Sequence, residues 1–365
     1  MLAHFDKRWI ALAILCLGDL MIVLDTTIVN VALPSIQADL GFTQTSLVWV
    51  VNAYMLTFSG FLLLGGRLGD LYGQRRLFLV GLALFTLASL SCGLAQTQTF
   101  LIAARAVQGI GGAIVSAIAF SLIINLFTEP YERAKAMGFF GFIMAGGGSI
   151  GVFLGGVLTG ALSWHWVFLV NLPIGIAVYV LCLLLIGPKP GASHVKLDIW
   201  GAITITASLM LAVYAIVGGN AAGWLSAHTL MLLGGALLLF CSFLFVESRA
   251  DSPLVPIDIF TRGNTAVISI IGVLWSAGMF ACFFLSALCM QLVLGYDPLK
   301  IGLAFLPSNL IMAALSIGLS ARLVMAFGIK KNLGIGMIVL TMGLLLFAVA
   351  PVEASLLIHI LPGML

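Results

Sequence analysis

Asp19, Asp25 and Arg105 stand inside stretches otherwise built mostly from leucine, isoleucine, valine, alanine, glycine and phenylalanine. An ionised side chain at the centre of a helix in lipid costs about 2.5–3.5 kcal/mol on insertion scales, so such residues face a bundle interior or an aqueous path, and pair. A carboxylate's affinity for a proton responds in opposite directions to loss of water and to a neighbouring guanidinium. A movement that alters either one loads or releases a proton. That is the chemistry these three residues could do, with Asp25 the leading carboxylate. The other role open to them is a static ion pair between helices. No His/Glu metal motif, phosphate-binding loop or nucleophile–base grouping accompanies them. The glycine pairs follow no strand, so a dinucleotide site is not expected. The reading is therefore no enzyme, no metal, no cofactor and no nucleic acid.

The elements that must position these residues are membrane helices. Mean hydropathy is +1.21 and 8% of residues are charged, far beyond what a soluble interior can hide. A span needs roughly 20 apolar residues. Approximate spans are 9–33, 46–66, 77–95, 99–125, 136–160, 166–186, 198–218, 227–247, 265–290, 300–321 and 332–350, with a twelfth from 354 onward. Lys7 and Arg8 precede the first, which is too long for a cleaved signal peptide and is retained. With the N-terminus inside, all but two of the 16 basic residues fall in inside loops, the positive-inside pattern. The exceptions are Lys300 at an outer end and Arg105 within span 4. Asp25 and Arg105 then lie at one depth, roughly 9–12 Å below the outer surface at about 1.5 Å per residue, so a direct or water-bridged pair is feasible. Asp19 is nearer mid-membrane and about 120° round the helix from Asp25, so the two are not expected to share a face. The six cysteines lie in apolar stretches without paired spacing and read as packing residues.

Loops near 187–197 and 248–263 divide the chain into a six-helix bundle (1–186), two additional helices (187–250) and a last group (251–365). Residues 65–76 read Gly-Gly-Arg-Leu-Gly-Asp-Leu-Tyr-Gly-Gln-Arg-Arg. Glycine permits a tight turn here. Asp70 can accept from free backbone N–H groups or pair with a basic residue. The run resembles the signature of the major facilitator superfamily, Gly-x-Leu-(Ala/Gly)-Asp-x-x-Gly-x-(Arg/Lys)-(Arg/Lys). The resemblance implies that Gly66, Asp70, Gly73, Arg75 and Arg76 form a cytoplasmic gate that latches the outward-open state. Arg105, Gln108, Gly109, Gly111 and Gly112 resemble the span-4 motif of the same superfamily, whose arginine is implicated in proton coupling. Gly151, Gly155 and Gly156 resemble the antiporter motif Gly-Pro-x-x-Gly-Gly, a packing face in which Val152 replaces the proline.

Residues 24–34 (Leu-Asp-Thr-Thr-Ile-Val-Asn-Val-Ala-Leu-Pro) and 164–175 (Trp-His-Trp-Val-Phe-Leu-Val-Asn-Leu-Pro-Ile-Gly) are similar to signatures of the fourteen-span drug:proton antiporter family, with His165 in place of arginine. The resemblance covers the whole chain. It implies an all-α polytopic protein of the major facilitator fold with two extra central helices. It also implies a secondary transporter that exports small amphipathic molecules in exchange for protons by alternating access. Asp25, Arg105 and Asp19 would couple protons. Thr26, Asn30, Trp49, Asn52, Tyr54 and Gln108 would line the substrate cavity, though for each taken alone helix packing or a satisfied intramembrane hydrogen bond is the commoner role. The expected setting is the bacterial inner membrane, multi-pass and monomeric, with the N-terminus cytoplasmic. Against fourteen spans, the chain is expected to be C-terminally truncated, with an incomplete C-terminal half. A non-transporting remnant, or a half-transporter needing a partner chain, is the alternative reading.

Overall fold

The computed structural model describes residues 7–187, 198–250, 253–255, 264–296 and 298–349, all of which are helix or connection. The first six-helix group comprises α1 (Lys7–Leu40), α2 (Gln44–Tyr72), α3 (Gln74–Gly93), α4 (Gln98–Leu126), α5 (Pro130–Ala161) and the pair α6 (Trp166–Leu169) and α7 (Asn171–Leu185). A hairpin of α8 (Ile199–Ala222) and α9 (Ala227–Glu247) follows. Then come α10 (Thr265–Leu292), α11 (Pro298–Ala304), α12 (Leu306–Ala314), a π turn (Leu315–Leu319) and α13 (Ser320–Ala348). Among the described residues, ten helical segments are long and apolar enough to cross a membrane.

Several expected boundaries move. The first span does not end at residue 33: α1 continues through Pro34 to Leu40. Neighbouring groups in a membrane bundle can re-satisfy the carbonyl that a proline leaves free. The stretch 300–321 does not run as one span either, because α11, α12 and the π turn divide it. The break expected between 321 and 332 is reduced to one residue, Gly328, whose φ of 77° interrupts α13. Only glycine adopts that conformation without a steric penalty. The span expected from 354 lies outside the described residues, as do the loop residues 188–197 and most of 248–263.

Lipid tails are as apolar as leucine, so these helices are held by close packing and buried hydrogen bonds rather than by escape from water. Small residues supply the close approach. A Cβ at Gly109 would collide with Thr57 and the Tyr54 carbonyl on α2, and one at Gly111 with the Phe85 backbone on α3. Gly151 and Gly155 bring α5 against Thr27 and the Ile28 carbonyl of α1 in the same way. The chain thus wraps α1 with α4, α5 and α7. Leu15, Met21, Ile28, Val29 and Ile36 of α1 are fully buried. Polar caps fix the helix starts outside this core. Thr43 and Ser46 form a reciprocal capping box on α2, and Thr97, Asp198 and Ser226 cap α4, α8 and α9.

Candidate functional site

Six helices deliver polar groups to one dry point. Asp25 of α1 is 0% exposed and Arg105 of α4 is 1% exposed. Arg105 Nη1 donates to Asp25 Oδ2 at 2.5 Å. Asp25 Oδ1 accepts from Gln108 Nε2 at 2.8 Å and from Asn171 Nδ2 at 2.9 Å. Both amides also donate to Ser89 Oγ of α3, at 3.1 and 3.0 Å, and Ser89 donates to the Phe168 carbonyl. Arg105 Nη1 reaches Gln108 Oε1 as well, and its Nε donates to the Val50 carbonyl of α2. The guanidinium is covered by the Tyr54 ring, 4.4 Å from its centroid, and by Phe168 at 5.6 Å.

Spacing explains the convergence. Arg105 and Gln108 are three residues apart, hence on one face of α4. Gly109 and Gly111 let α4 approach α2 and α3 closely enough for that face to be enclosed. Taking two charges out of water is recovered only when geometry is good and the remaining donors and acceptors are occupied. Here both carboxylate oxygens are. Such an arrangement is costly to break from one side, and a proton or ligand that competes for the carboxylate would release several partners at once.

The second acid is built differently. Asp19, also 0% exposed, accepts one bond at Oδ1, from Ser116 Oγ of α4 at 2.5 Å. Its Oδ2 has no hydrogen-bond partner. The two acids keep to separate faces of α1, about 120° apart, yet both meet α4. Asp25 points between α4 and α7 and Asp19 toward α4 alone, because α4 lies against a broad sector of α1.

The other residues singled out scatter. Tyr54 and Gln108 are buried in the Asp25 network. Thr26 Oγ1 donates to the Val23 carbonyl, and the exposed Asn30 donates to that of Thr26. Trp49 packs on Tyr214 of α8 with ring centroids 5.5 Å apart, and Asn52 is half-buried. Gly151 and Gly155 pack on α1, but Gly156 has nothing within 4 Å of a built Cβ. It lies about 100° round the helix from Gly155, on the outer side, which corrects its expected packing role. α5 is unbroken from Pro130 to Ala161, without the kink that a proline at 152 would bring.

At the α2–α3 turn, Gly73 takes φ 94° and bonds back to the Gly69 carbonyl. Gly66 faces Ala117 of α4. Asp70 is exposed, and its described partner is Gln74 Nε2 at 3.4 Å rather than a backbone N–H or a basic residue. Gln74 also donates to Ser121 and accepts from Asn125 of α4. Arg75 donates to the Leu183 carbonyl of α7, while Arg76 is exposed. Asn171, Ser89 and Ser116 were not anticipated as site residues. The one available signal was that Asn171 sits inside the 164–175 signature.

The sequence profile of the Major Facilitator Superfamily matches residues 15–365. The cephamycin export protein CmcT of Amycolatopsis lactamdurans is 43% identical, over 83% of this chain and 63% of its own length. The puromycin resistance protein pur8 of Streptomyces alboniger is 39% identical, over 87% of this chain and 63% of its own. The chain thus spans a little under two thirds of the length of these relatives. Among solved structures, the human organic anion transporter MFSD10 (TETRAN) is similar with a TM-score of 0.59, covering 99% of this chain and 85% of that one. At 14% identity that likeness speaks to fold alone. The profile match over nearly the whole chain, together with ten apolar helices among the described residues, makes this a multi-pass membrane protein of the Major Facilitator Superfamily, a family of transporters and not of enzymes.

Proposed function

We propose that this chain belongs to a proton-coupled exporter of small amphipathic, drug-like molecules that works by alternating access. Asp25 is its proton-coupling carboxylate and Arg105 the charge that competes with the proton. The single observation that carries this reading is the buried Asp25–Arg105 pair, closed by Gln108, Asn171 and Ser89. In the coupling cycle a proton on Asp25 cancels its attraction for Arg105. The guanidinium then turns to its remaining acceptors, Gln108 Oε1 and the Val50 carbonyl, and the α1–α4–α7 junction loosens. Loss of the proton restores the clamp. The export and antibiotic-resistance names of the relatives support this direction and class of cargo.

The finer organisation belongs to the same reading. It has fourteen spans, with a first bundle at 1–186, the extra pair at 187–250 and the second half beginning at 251. The N-terminus is on the cytoplasmic side of the inner membrane, the transporter is monomeric, and the loop of Gly66, Asp70, Gly73, Arg75 and Arg76 is the gate. Asp19 assists coupling, and the half-open surfaces of Thr26, Asn30, Trp49 and Asn52 face the substrate path.

The test is drug efflux driven by an imposed proton gradient in inverted vesicles, with Asp25→Asn. We expect gradient-driven transport to vanish while the protein still inserts and binds dye. Normal transport at normal expression would overturn the reading.

A further inference from the structure

At the Asp25 centre and along α4 from it, three buried polar atoms have no hydrogen-bond partner: Asn171 Oδ1, Asp19 Oδ2 and the Tyr54 hydroxyl, of which the last two stand outside the Asp25 hydrogen-bond network. Buried polar groups are nearly always satisfied, and each exception calls for a reason. The Tyr54 ring lies on Arg105, 4.4 Å from it. Its hydroxyl reaches along α4 to Gly112, where a Cβ would stand 2.8 Å from the oxygen. Gly112 is one turn past Gln108, which holds Asp25, and one turn before Ser116, which holds Asp19. The hydroxyl therefore stands between the levels of the two carboxylates. It is within electrostatic reach of Asp25, Arg105 and Asp19 together.

We infer that Tyr54 is a proton relay and that Asp19 is a second proton-holding site, deeper in the membrane than Asp25. The inference rests on the reading of Asp25 as the coupling carboxylate. In the step, a proton leaves the Asp25 carboxyl and passes through water to the Tyr54 oxygen, while the tyrosine's own proton passes through water to Asp19 Oδ2. One O–H bond breaks and one forms at each transfer, the tyrosine ends unchanged, and no electrons move. The groups facing the relay are Asp25 and Cys16 from α1, Ser89 and Cys92 from α3, Arg105, Gln108 and Ser116 from α4, and Asn171 from α7. Arg105 bears on the Asp25 end, whereas the described hydrogen-bond partner of Asp19 is the neutral Ser116. The proton thus passes from a carboxylate clamped by a cation to one held by a hydroxyl. Gly112 earns its place by leaving room for the hydroxyl between the two.

The experiment is time-resolved infrared spectroscopy of the protein in bilayers after a pH jump, which requires no transport. Asp25→Asn and Asp19→Asn should each remove one carboxyl C=O signal. Ser116→Ala, milder than Asp19→Asn, should move the Asp19 signal in frequency without removing it. Tyr54→Phe keeps the ring over Arg105 and removes only the hydroxyl. It should slow the rise of the Asp19 signal, and with it the decay of the Asp25 signal, by about a hundredfold or more, the low end of what a positioned acid–base group contributes, and leave the frequency of both signals unchanged. An unchanged Asp19 rate in Tyr54→Phe overturns the relay, as does an Asp19 signal missing from the wild type. Absence of an Asp25 signal overturns instead the coupling reading on which the relay rests.

Discussion

At the residue scale, Asp25 and Arg105 are coupled too tightly to be judged one at a time. Arg105→Gln leaves a buried carboxylate with two amide donors and no cation, a change expected to cost about 3–5 kcal/mol, as one-sided breaks of buried pairs do. Asp25→Asn with Arg105→Gln removes both charges and keeps hydrogen-bonding shape, so it should recover most of that loss. Thermal unfolding of the single and double variants in one detergent measures the difference, and equal losses would mean that the pair is not electrostatically coupled. The pair itself was legible, because ionisable residues in lipid spans are rare and their depths could be compared from span ends. Asn171 and Ser89 were not. A lone amide or hydroxyl in an apolar helix has many ordinary uses, and only packing reveals that α3 and α7 aim these two at one carboxylate. Gln74 was hidden for a similar reason: it is the variable position of the gate motif, yet it links Asp70 to α4.

At the element scale, α5 separates packing glycine from idle glycine within one turn. Gly151 and Gly155 lie against α1, and an added methyl at 151 would strike Thr27. Overpacking of this kind costs about 1–3 kcal/mol. Gly156 faces open space, so alanine there should be neutral or should stabilise by up to about 1 kcal/mol through helix propensity. Gly151→Ala should therefore lower the unfolding temperature and Gly156→Ala should not; the reverse order would refute the arrangement of α5 on α1. The existence of the helices was readable from hydropathy, and the basic residues gave their alternation. Their ends were less so. Pro34 is a helix breaker in water and a tolerated residue in a bundle, so α1 runs seven residues past the expected limit to Leu40. Polar and basic residues at 322–331 suggested a full loop where a single glycine suffices.

At the scale of the whole molecule, what matters is how the first bundle meets the helices after α10. That contact runs through α5, and its tightest point is Gly138 against the carbonyl of Ser316 in the π turn, where any Cβ would collide with backbone. The Ser320 hydroxyl donates to the same carbonyl at 2.8 Å. A π turn frees a carbonyl from the regular ladder, and such turns concentrate at functional positions. Gly138 lies eight residues into α5 from the end that carries Arg133 and Lys135, so the contact closes the basic side of the molecule. A transporter that rocks two halves about a central site must make and break such a contact in each cycle. Replacing Gly138 with leucine removes the closed arrangement without touching Asp25 or Arg105. Spin labels at the exposed positions Tyr131 and Met325, in a background free of the native cysteines, report on it. The leucine variant should shift the label-to-label distances to longer values and hold them there whatever substrate or pH is applied, while Gly138→Ala should shift them partially. A distribution identical to that of glycine at 138 would mean that this contact does not govern closure. The gate would then have to be sought at the Asp70–Gln74 turn.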